Sequence, residues 1–261
     1  MQLRVLDDLL AWCEEHGATC YAAYGTLLGA RRHHGYIPWD NDIDVMMPRP
    51  DYERLRAETV IRSARVGGRR DDIDWPYPNV KLYDEETVVV DDGPFPARIG
   101  VNVDVFPLDH PRSGWRGILQ DRFLRTLVMV LSVQSLMPRE GRRPAARVAG
   151  RVLQPLARSL PRRSVLRWLD RVAAGGPPGD RVGVLVGSYQ WSVPETALGG
   201  GAVLQFERRE IPVPSQTDTV LHVKYGEHFM VPPPAADRLS HHSFTAFARV
   251  ATDTGPLDRS A

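Results

Sequence analysis

The sequence YGTLLGARRHHGYIPWDNDID, residues 24–44, combines two patterns that bear on both structure and chemistry. Near its start, Gly25 and Thr26 follow a short apolar run, which predicts a turn from a strand into a helix. Backbone N–H groups at such a helix start, together with the helix dipole, favour the binding of a phosphate group. The first half of the stretch therefore predicts an anion-binding turn.

Three carboxylates, Asp40, Asp42 and Asp44, occupy alternate positions at the end of the same stretch. Every second residue of a strand points to the same face, so we expect Asp42 and Asp44 to project side by side, with Asp40 at the strand's edge. Parallel carboxylates repel each other unless a cation lies between them, and their oxygens suit Mg²⁺ or Mn²⁺. The stretch thus predicts a metal beside a phosphate, as phosphoryl transfer requires.

Other interpretations of the acidic segment fit less well. A solvated acidic loop does not explain why Ile43 and Val45 alternate with the acids, as they would in a half-buried strand. A calcium loop of the EF-hand kind that starts at Asp40 would need Gly where Val45 stands, and it would contain Pro48. A dinucleotide-binding loop would need a glycine spacing that is absent.

Residues 25–44 resemble, without a gap, the signature of the LicD/fukutin family, approximately Gly-Thr-Leu-Leu-Gly-Ala-x-Arg-His-x-Gly-x-Ile-Pro-Trp-Asp-x-Asp-Ile-Asp. That family belongs to the nucleotidyltransferase superfamily, which has a DNA polymerase β-like fold with a Gly-Ser-like turn, an acid-x-acid strand and a third acid on a later strand. The resemblance implies an α+β fold, a nucleotidyltransferase-like mixed β-sheet flanked by helices. Thr26 takes the Ser position, and the family's Arg falls at Arg32.

Two later strands supply further candidates. Asp104 lies in the segment VNVDVFPLD, residues 101–109, which is similar to the family's Asp-Ile-Phe-Pro-Leu-Asp. An acid in the middle of a strand needs a partner, and a metal shared with Asp42 and Asp44 would supply one. Asp104 is then either a metal ligand or the general base. Lys81 alternates with apolar strand residues and would act as a point positive charge near a phosphate.

The chain divides into four parts by composition. Residues 1–111 are predicted to form the catalytic core, and residues 112–185 an inserted, Arg-rich and mostly helical lobe. Residues 186–252 are predicted to complete the core with strands and a helix, and their Phe-Glu, Val-Pro-x-Pro and Tyr-Gly segments resemble the family's closing pattern. Residues 253–261 are predicted to be a flexible tail.

Several other local features are predicted to which no catalytic role is assigned. Residues 3–16 have helical apolar spacing and end before a glycine, residues 217–225 likewise form a helix, and residues 63–74 are predicted to be a polar surface loop. Asp109 follows a proline and is interpreted as a turn or cap residue. No role is assigned to the pair His241 and His242.

Overall composition excludes several classes of protein. With 43% hydrophobic and 25% charged residues and a net charge of +1, nothing argues for nucleic-acid binding. Cys13 and Cys20 form no metal or redox motif. The N-terminus carries acids where a signal peptide needs an apolar core, and no apolar run reaches the ~18 residues of a membrane span, so we expect a cytoplasmic protein without a transmembrane segment. Peripheral contact of the Arg-rich lobe with an anionic membrane stays open.

The resemblance implies a LicD-like metal-dependent phosphotransferase. It would move a substituted phosphate (phosphocholine, polyol phosphate or phosphonate type) from a CDP- or CMP-linked donor, such as a CDP-choline-like compound, to an acceptor hydroxyl on a glycan or small molecule. Two Mg²⁺ (or Mn²⁺) ions would be held by Asp42, Asp44 and Asp104, with Asp40 beside them. The donor phosphates would be held by Gly25, Thr26, Arg32 and Lys81.

Two alternatives remain at the level of sequence. The same acids would serve a nucleotidyltransferase that transfers NMP from an NTP and releases pyrophosphate. A non-catalytic nucleotide- or glycan-binding protein would be expected to lack at least one acid, and none is missing.

Overall fold

The computed structural model describes residues 1–72, 75–91, 99–135, 153–186, 190–234, 238 and 244–248. The predicted tail, residues 253–261, and the pair His241 and His242 lie outside these residues. The helices are α1 (Gln2–His16), α2 (Tyr24–His33), α3 (Arg49–Ala57), α4 (Gly114–Gln134), α5 (153–159), α6 (Arg162–Ala173) and α7 (Thr217–Tyr225).

The strands are β1 (Tyr21–Ala22), β2 (Asp44–Pro48), β3 (Val60–Ile61), β4 (Ala64–Gly67), β5 (Val80–Asp84), β6 (Thr87–Asp91), β7 (Asn102–Leu108), β8 (Arg181–Val182), β9 (Val193–Pro194), β10 (Ala202–Phe206), β11 (Arg209–Val213) and β12 (Phe244–Ala248). The strands alternate with the helices up to β3, and beyond it strands and helices occur mostly in runs. The expected α+β class is thereby confirmed in its coarse form.

A six-stranded mixed sheet forms the centre of the molecule, with the order β1-β2-β7-β5-β4-β3. Only β2 and β7 run parallel among its strand pairs within the described residues, and the other pairs are antiparallel. Within β2 and β7, the residues Val45, Met46, Met47, Val103 and Val105 are all inaccessible to solvent. Each strand of the parallel pair thus places an aspartate, Asp44 or Asp104, at a paired position next to fully buried residues.

Apolar periodicity explains the helices that flank the sheet. α1 buries Leu6 and Leu9 against β5 and β7, and it ends at Gly17, whose left-handed φ of 59° suits glycine. α7 ends at Gly226, again with a positive φ. Both helix ends were predicted from the sequence and are confirmed.

Two predicted elements differ from the structure. β2 begins at Asp44, so Asp40 and Asp42 lie in the preceding loop and not in the strand. The segment 63–74 is not wholly a loop, because β4 occupies its first part and pairs with β5. In both cases the strand limits depend on partners that are distant in sequence.

A buried cluster of charges joins α3 and α6 to the end of β7. Arg49 donates two hydrogen bonds to Asp109, with N–O distances of 2.7 and 2.5 Å, and a third to Asp170 at 2.7 Å. Arg56 donates to the other oxygen of Asp170 at 2.8 Å. Asp109 is almost fully buried. These contacts give Asp109 a structural role, consistent with its interpretation as a turn or cap residue.

Candidate active site

The first turn of α2 is built around a close approach between two chain segments. Ala23 is extended, and Tyr24 has a φ of 43°, a strained value for a residue with a side chain. A Cβ atom on the next residue, Gly25, would collide with Oδ2 of Asp40. Glycine is therefore needed here, because it lets the Asp40 carboxylate lie against the helix start, where the helix dipole favours negative charge.

Thr26 links the same turn to the start of β2. Its hydroxyl accepts a hydrogen bond of 2.8 Å from the backbone N–H of Asp44, and the residue is only 2% exposed. The hydroxyl oxygen thus satisfies a buried donor that no neighbouring strand reaches. This hydrogen bond holds the backbone of Asp44 at the point where the loop ends and β2 begins. Thr26 itself does not line the neighbouring cleft.

Three side chains, those of Asp44, Asp104 and Lys81, form a row across the sheet beside Thr26, which we call the Asp44 row. The strand register aligns Asp44 of β2 with Asp104 of β7, and Asp104 with Lys81 of β5. The Lys81 ammonium donates a hydrogen bond to Oδ1 of Asp104 and another to Asn102 at 3.3 Å. Burial lowers the pKa of Lys81, but the Asp104 charge outweighs this effect and leaves the pKa above its usual value.

The pKa of Asp44 is strongly perturbed. Burial raises its pKa well above the usual value, and the negative charges of Asp42, Asp104 and Asp40 raise it further, while Lys81 partly offsets them. Desolvation and like charges both disfavour ionisation, so this carboxylate needs either a proton or a cation nearby. Two neighbouring acids in the sequence and one from a distant strand therefore act on Asp44 at one point of the fold.

A cleft of about 590 Å³ opens over this point. Five of the eight predicted site residues line it: Gly25, Arg32, Asp40, Asp42 and Asp44. The other three, Thr26, Lys81 and Asp104, are not part of its lining. Its size is in the range of small-molecule binding sites.

Arg32 is held in place at the wall of the cleft. Its Nη1 donates to the carbonyl of Phe229 at 2.8 Å, and its Nε donates to Nε2 of His33 at 3.0 Å. Burial lowers the pKa of Arg32 from its usual value, although a guanidinium remains charged at neutral pH. A fixed cation therefore faces the same space as the acids.

Lys224 of α7 also lines the cleft, and the sequence analysis assigned it no role. Its ammonium lies 4.4 Å from the centre of the Tyr24 ring. Burial lowers its pKa to about 8, and the charge of Asp44 partly opposes that shift. A signal was present in the sequence: 31 of the 33 basic residues are arginines, and the two lysines, Lys81 and Lys224, both interact with the Asp44 row.

Aromatic side chains complete the cleft wall. Tyr24 packs edge-on against Phe106 with 5.1 Å between ring centres, and Trp39 does so against His33 at 6.1 Å. Tyr225 lies beside Lys224 in the cleft lining. Such walls exclude water and strengthen electrostatic interactions with a bound ligand.

The carboxylates of the cleft are of the right chemical type to bind a hard cation, but they do not surround a single point as the ligands of one metal ion would. Carboxylate oxygens are the donors that Mg²⁺ prefers. Within the described ranges, no three His, Cys, Asp or Glu side chains are arranged so that they would ligate one ion. One reason is visible in the Asp44 row, where Lys81 already neutralises Asp104. Asp40, Asp42 and Asp44 all line the cleft, and of its two neighbours Asp42 raises the pKa of Asp44 more than Asp40 does.

The fold and the cleft define a class: an α+β protein whose central sheet presents carboxylates beside a helix start, with cations on the facing wall. Comparison with known families is more specific. Residues 17–115 match the family model described as "LicD/FKTN/FKRP, nucleotidyltransferase domain". This segment, which includes every predicted site residue, is therefore similar to the nucleotidyltransferase domain of the LicD family.

A curated relative is similar over a shorter stretch. The chain is 50% identical over 53 residues to "Lipopolysaccharide cholinephosphotransferase LicD" of Haemophilus influenzae. The aligned stretch covers 20% of this chain and 20% of that relative. The chain thus spans about one fifth of the length of the curated relative it matches.

No helix among the described residues is long and apolar enough to cross a membrane.

Proposed function

We propose that this protein is a LicD-type phosphotransferase that moves a substituted phosphate from a CDP- or CMP-linked donor to a hydroxyl group. The observation that carries the proposal is the convergence of Asp42, Asp104 and Asp40 on the buried Asp44, beside a helix start and a cleft with two cations. The LicD-family match over the same residues and the printed name of the relative support this reaction class. We further propose that the domain has the nucleotidyltransferase-like fold of that family, with residues 112–185 as an inserted lobe.

In the reaction, the acceptor oxygen forms a bond to phosphorus while the bond from phosphorus to the leaving CMP oxygen breaks. The proton of the acceptor hydroxyl passes to a carboxylate. We assign this role to Asp104, which lies opposite Asp44 in the strand register, with metal ligation as its alternative role. Arg32 and Lys224 face the cleft and would hold the negative phosphate oxygens of the donor.

Mg²⁺ or Mn²⁺, as two ions, would be held by Asp42 and Asp44, with Asp40 and Asp104 as further oxygen donors. Bound metal would neutralise the diphosphate and the leaving group. The Gly25 turn provides backbone N–H groups for a phosphate at the start of α2. Asp40 rests against that turn in the structure, so donor binding is expected to displace it or to bring a cation between the two anions.

Product analysis tests the proposal directly. The chain is incubated with Mg²⁺ and CDP-choline, and separately with CTP, and the nucleotide products are separated by anion exchange. We expect CMP from the CDP-linked compound, with water as a slow acceptor when no other hydroxyl is supplied. Pyrophosphate from CTP, without CMP from CDP-choline, would instead support nucleotidyl transfer.

A further inference from the structure

A second cavity, of about 290 Å³, lies between α6 and the segments 69–72 and 75–78. We call it the arginine pocket, because five arginines line it against two aspartates. The arginines are Arg56, Arg69, Arg70, Arg163 and Arg167. This excess of positive charge in a concave site favours an anionic ligand.

Three of the five arginines are already neutralised within the protein. Arg56 pairs with Asp170, Arg69 with Asp71, and Arg70 with Glu53.

Arg163 and Arg167, in contrast, make no hydrogen bond or ion pair with any residue that the structure describes. They stand one turn apart on α6, so their side chains leave the same face of the helix. Two adjacent guanidinium groups without an ion-pair partner offer charge-assisted hydrogen-bond donors to a phosphate.

The opposite wall of the pocket is aromatic and fixed. Trp75 and Tyr77 pack edge to face, with 5.4 Å between ring centres. The Trp75 indole N–H donates to the carbonyl of Asn79 at 2.9 Å. Its ring lies directly on Gly67, where any Cβ atom would collide with it. The structure thus holds a preorganised aromatic surface beside the arginines, and the apolar C–H face of a sugar ring can pack on such a surface at low entropic cost.

The pocket adjoins the Asp44 row. The ring of Tyr77, which lines the pocket, lies 4.7 Å from the ammonium of Lys81. Lys81 in turn pairs with Asp104. Two side chains, Tyr77 and Lys81, therefore lie between the arginine pocket and Asp104, the candidate base.

From this arrangement we propose that the arginine pocket binds a phosphorylated saccharide as the acceptor, with its phosphate on Arg163 and Arg167 and its ring on Trp75 and Tyr77. The volume suits about one sugar ring with its phosphate. The acceptor assignment rests on the proposed function, whereas the binding site itself does not.

Binding of glucose 6-phosphate to the full chain, without metal or donor, tests the site by titration calorimetry. We expect binding of glucose 6-phosphate and none of glucose. The double variant Arg163→Gln/Arg167→Gln should weaken it about tenfold to a hundredfold, because two charge-assisted contacts are lost. Arg171→Gln is the matched control, since it removes a charge from the same helix outside the pocket, and it should bind like the wild type.

Other outcomes overturn the proposal. Equal affinities in the double variant and in Arg171→Gln, or no binding by the wild type, exclude the site. Displacement of glucose 6-phosphate by CMP at lower concentration would assign the pocket to the nucleotide and not to the acceptor. Asp42→Asn separates the two claims: it should abolish transfer and leave glucose 6-phosphate binding unchanged, and loss of that binding would place the ligand in the acidic cleft.

Discussion

At the scale of single residues, Thr26 shows how a motif residue acts in this chain. The resemblance implies that it binds phosphate, yet its hydroxyl accepts the Asp44 N–H and is buried. Its contribution to the site is thus to position Asp44, and any contact with a donor would come in addition.

Thr26→Val should lower the free energy of unfolding by about 1–3 kcal/mol, because it leaves the buried N–H of Asp44 without an acceptor. Thr26→Ser keeps the oxygen and should restore most of the loss. Urea unfolding followed by circular dichroism measures both variants. If valine proves as stable as serine, the hydrogen bond does not hold the strand.

Lys224 gives a second prediction at this scale. Lys224→Gln removes a cation from the cleft wall and should weaken the binding of CDP about tenfold at pH 7, where the wild-type ammonium is mostly protonated given its pKa of about 8. Lys224→Arg keeps the charge and should bind more tightly than the glutamine variant. Calorimetry with CDP, the part that all CDP-linked donors share, gives the affinities. Equal binding by all three proteins would remove Lys224 from the proposed site.

At the scale of elements, the cluster of Arg49, Arg56, Asp109 and Asp170 fixes α6 against α3 and the end of β7. Burial raises the pKa of Asp170, but the charges of Arg49 and Arg56 outweigh it, and the pKa lies below its usual 3.8. A depressed carboxylate pKa stabilises the folded state at pH above the unfolded value, and the stabilisation is lost as the pH falls through the folded value.

Asp170→Asn should therefore lower the free energy of unfolding at pH 7 by about 3 kcal/mol, since it leaves two partly buried guanidinium groups short of a counter-charge. The difference from the wild type should shrink as the pH is lowered below 3.8, where the wild-type carboxylate also takes up a proton. Urea titrations at several pH values measure this trend. Asp121→Asn, in an exposed pair with Arg125, is the control and should cost under about 1 kcal/mol. A difference that stays constant with pH would mean that charge is not the cause.

At the scale of the whole molecule, local patterns predicted the helices well. The apolar spacing of 3–16 and 217–225, each followed by glycine, depends only on neighbouring residues, and α1 and α7 follow it closely. The positions of the strands depend more on residues that are distant in the sequence. Ala64 and Val66 are buried in β4, whose strand conformation depends on pairing with β5, and the surrounding arginines and glycines hide that alternation in the sequence.

The site was only partly predictable, because some of its contacts are local in sequence and others join residues that are far apart in the chain. Asp40, Asp42 and Asp44 are close in sequence, so their proximity could be expected, although only Asp44 lies in the strand. The pairing of Lys81 with Asp104 depends on strand register, and the approach of Lys224 depends on a helix about 180 residues further along the chain. Neither contact follows from a local pattern, although Lys81 and Asp104 were each predicted to be site residues.

The central claim is that Asp42 and Asp44 hold a divalent cation on which the donor diphosphate binds. The most direct test is the calorimetric affinity for CDP with Mg²⁺ and with EDTA, for the wild type, Asp42→Asn and the control Asp121→Asn. We predict that Mg²⁺ strengthens CDP binding at least about tenfold in the wild type and in Asp121→Asn, and that Asp42→Asn loses this gain. Asp42→Asn that binds CDP with an undiminished Mg²⁺ effect would contradict the claim.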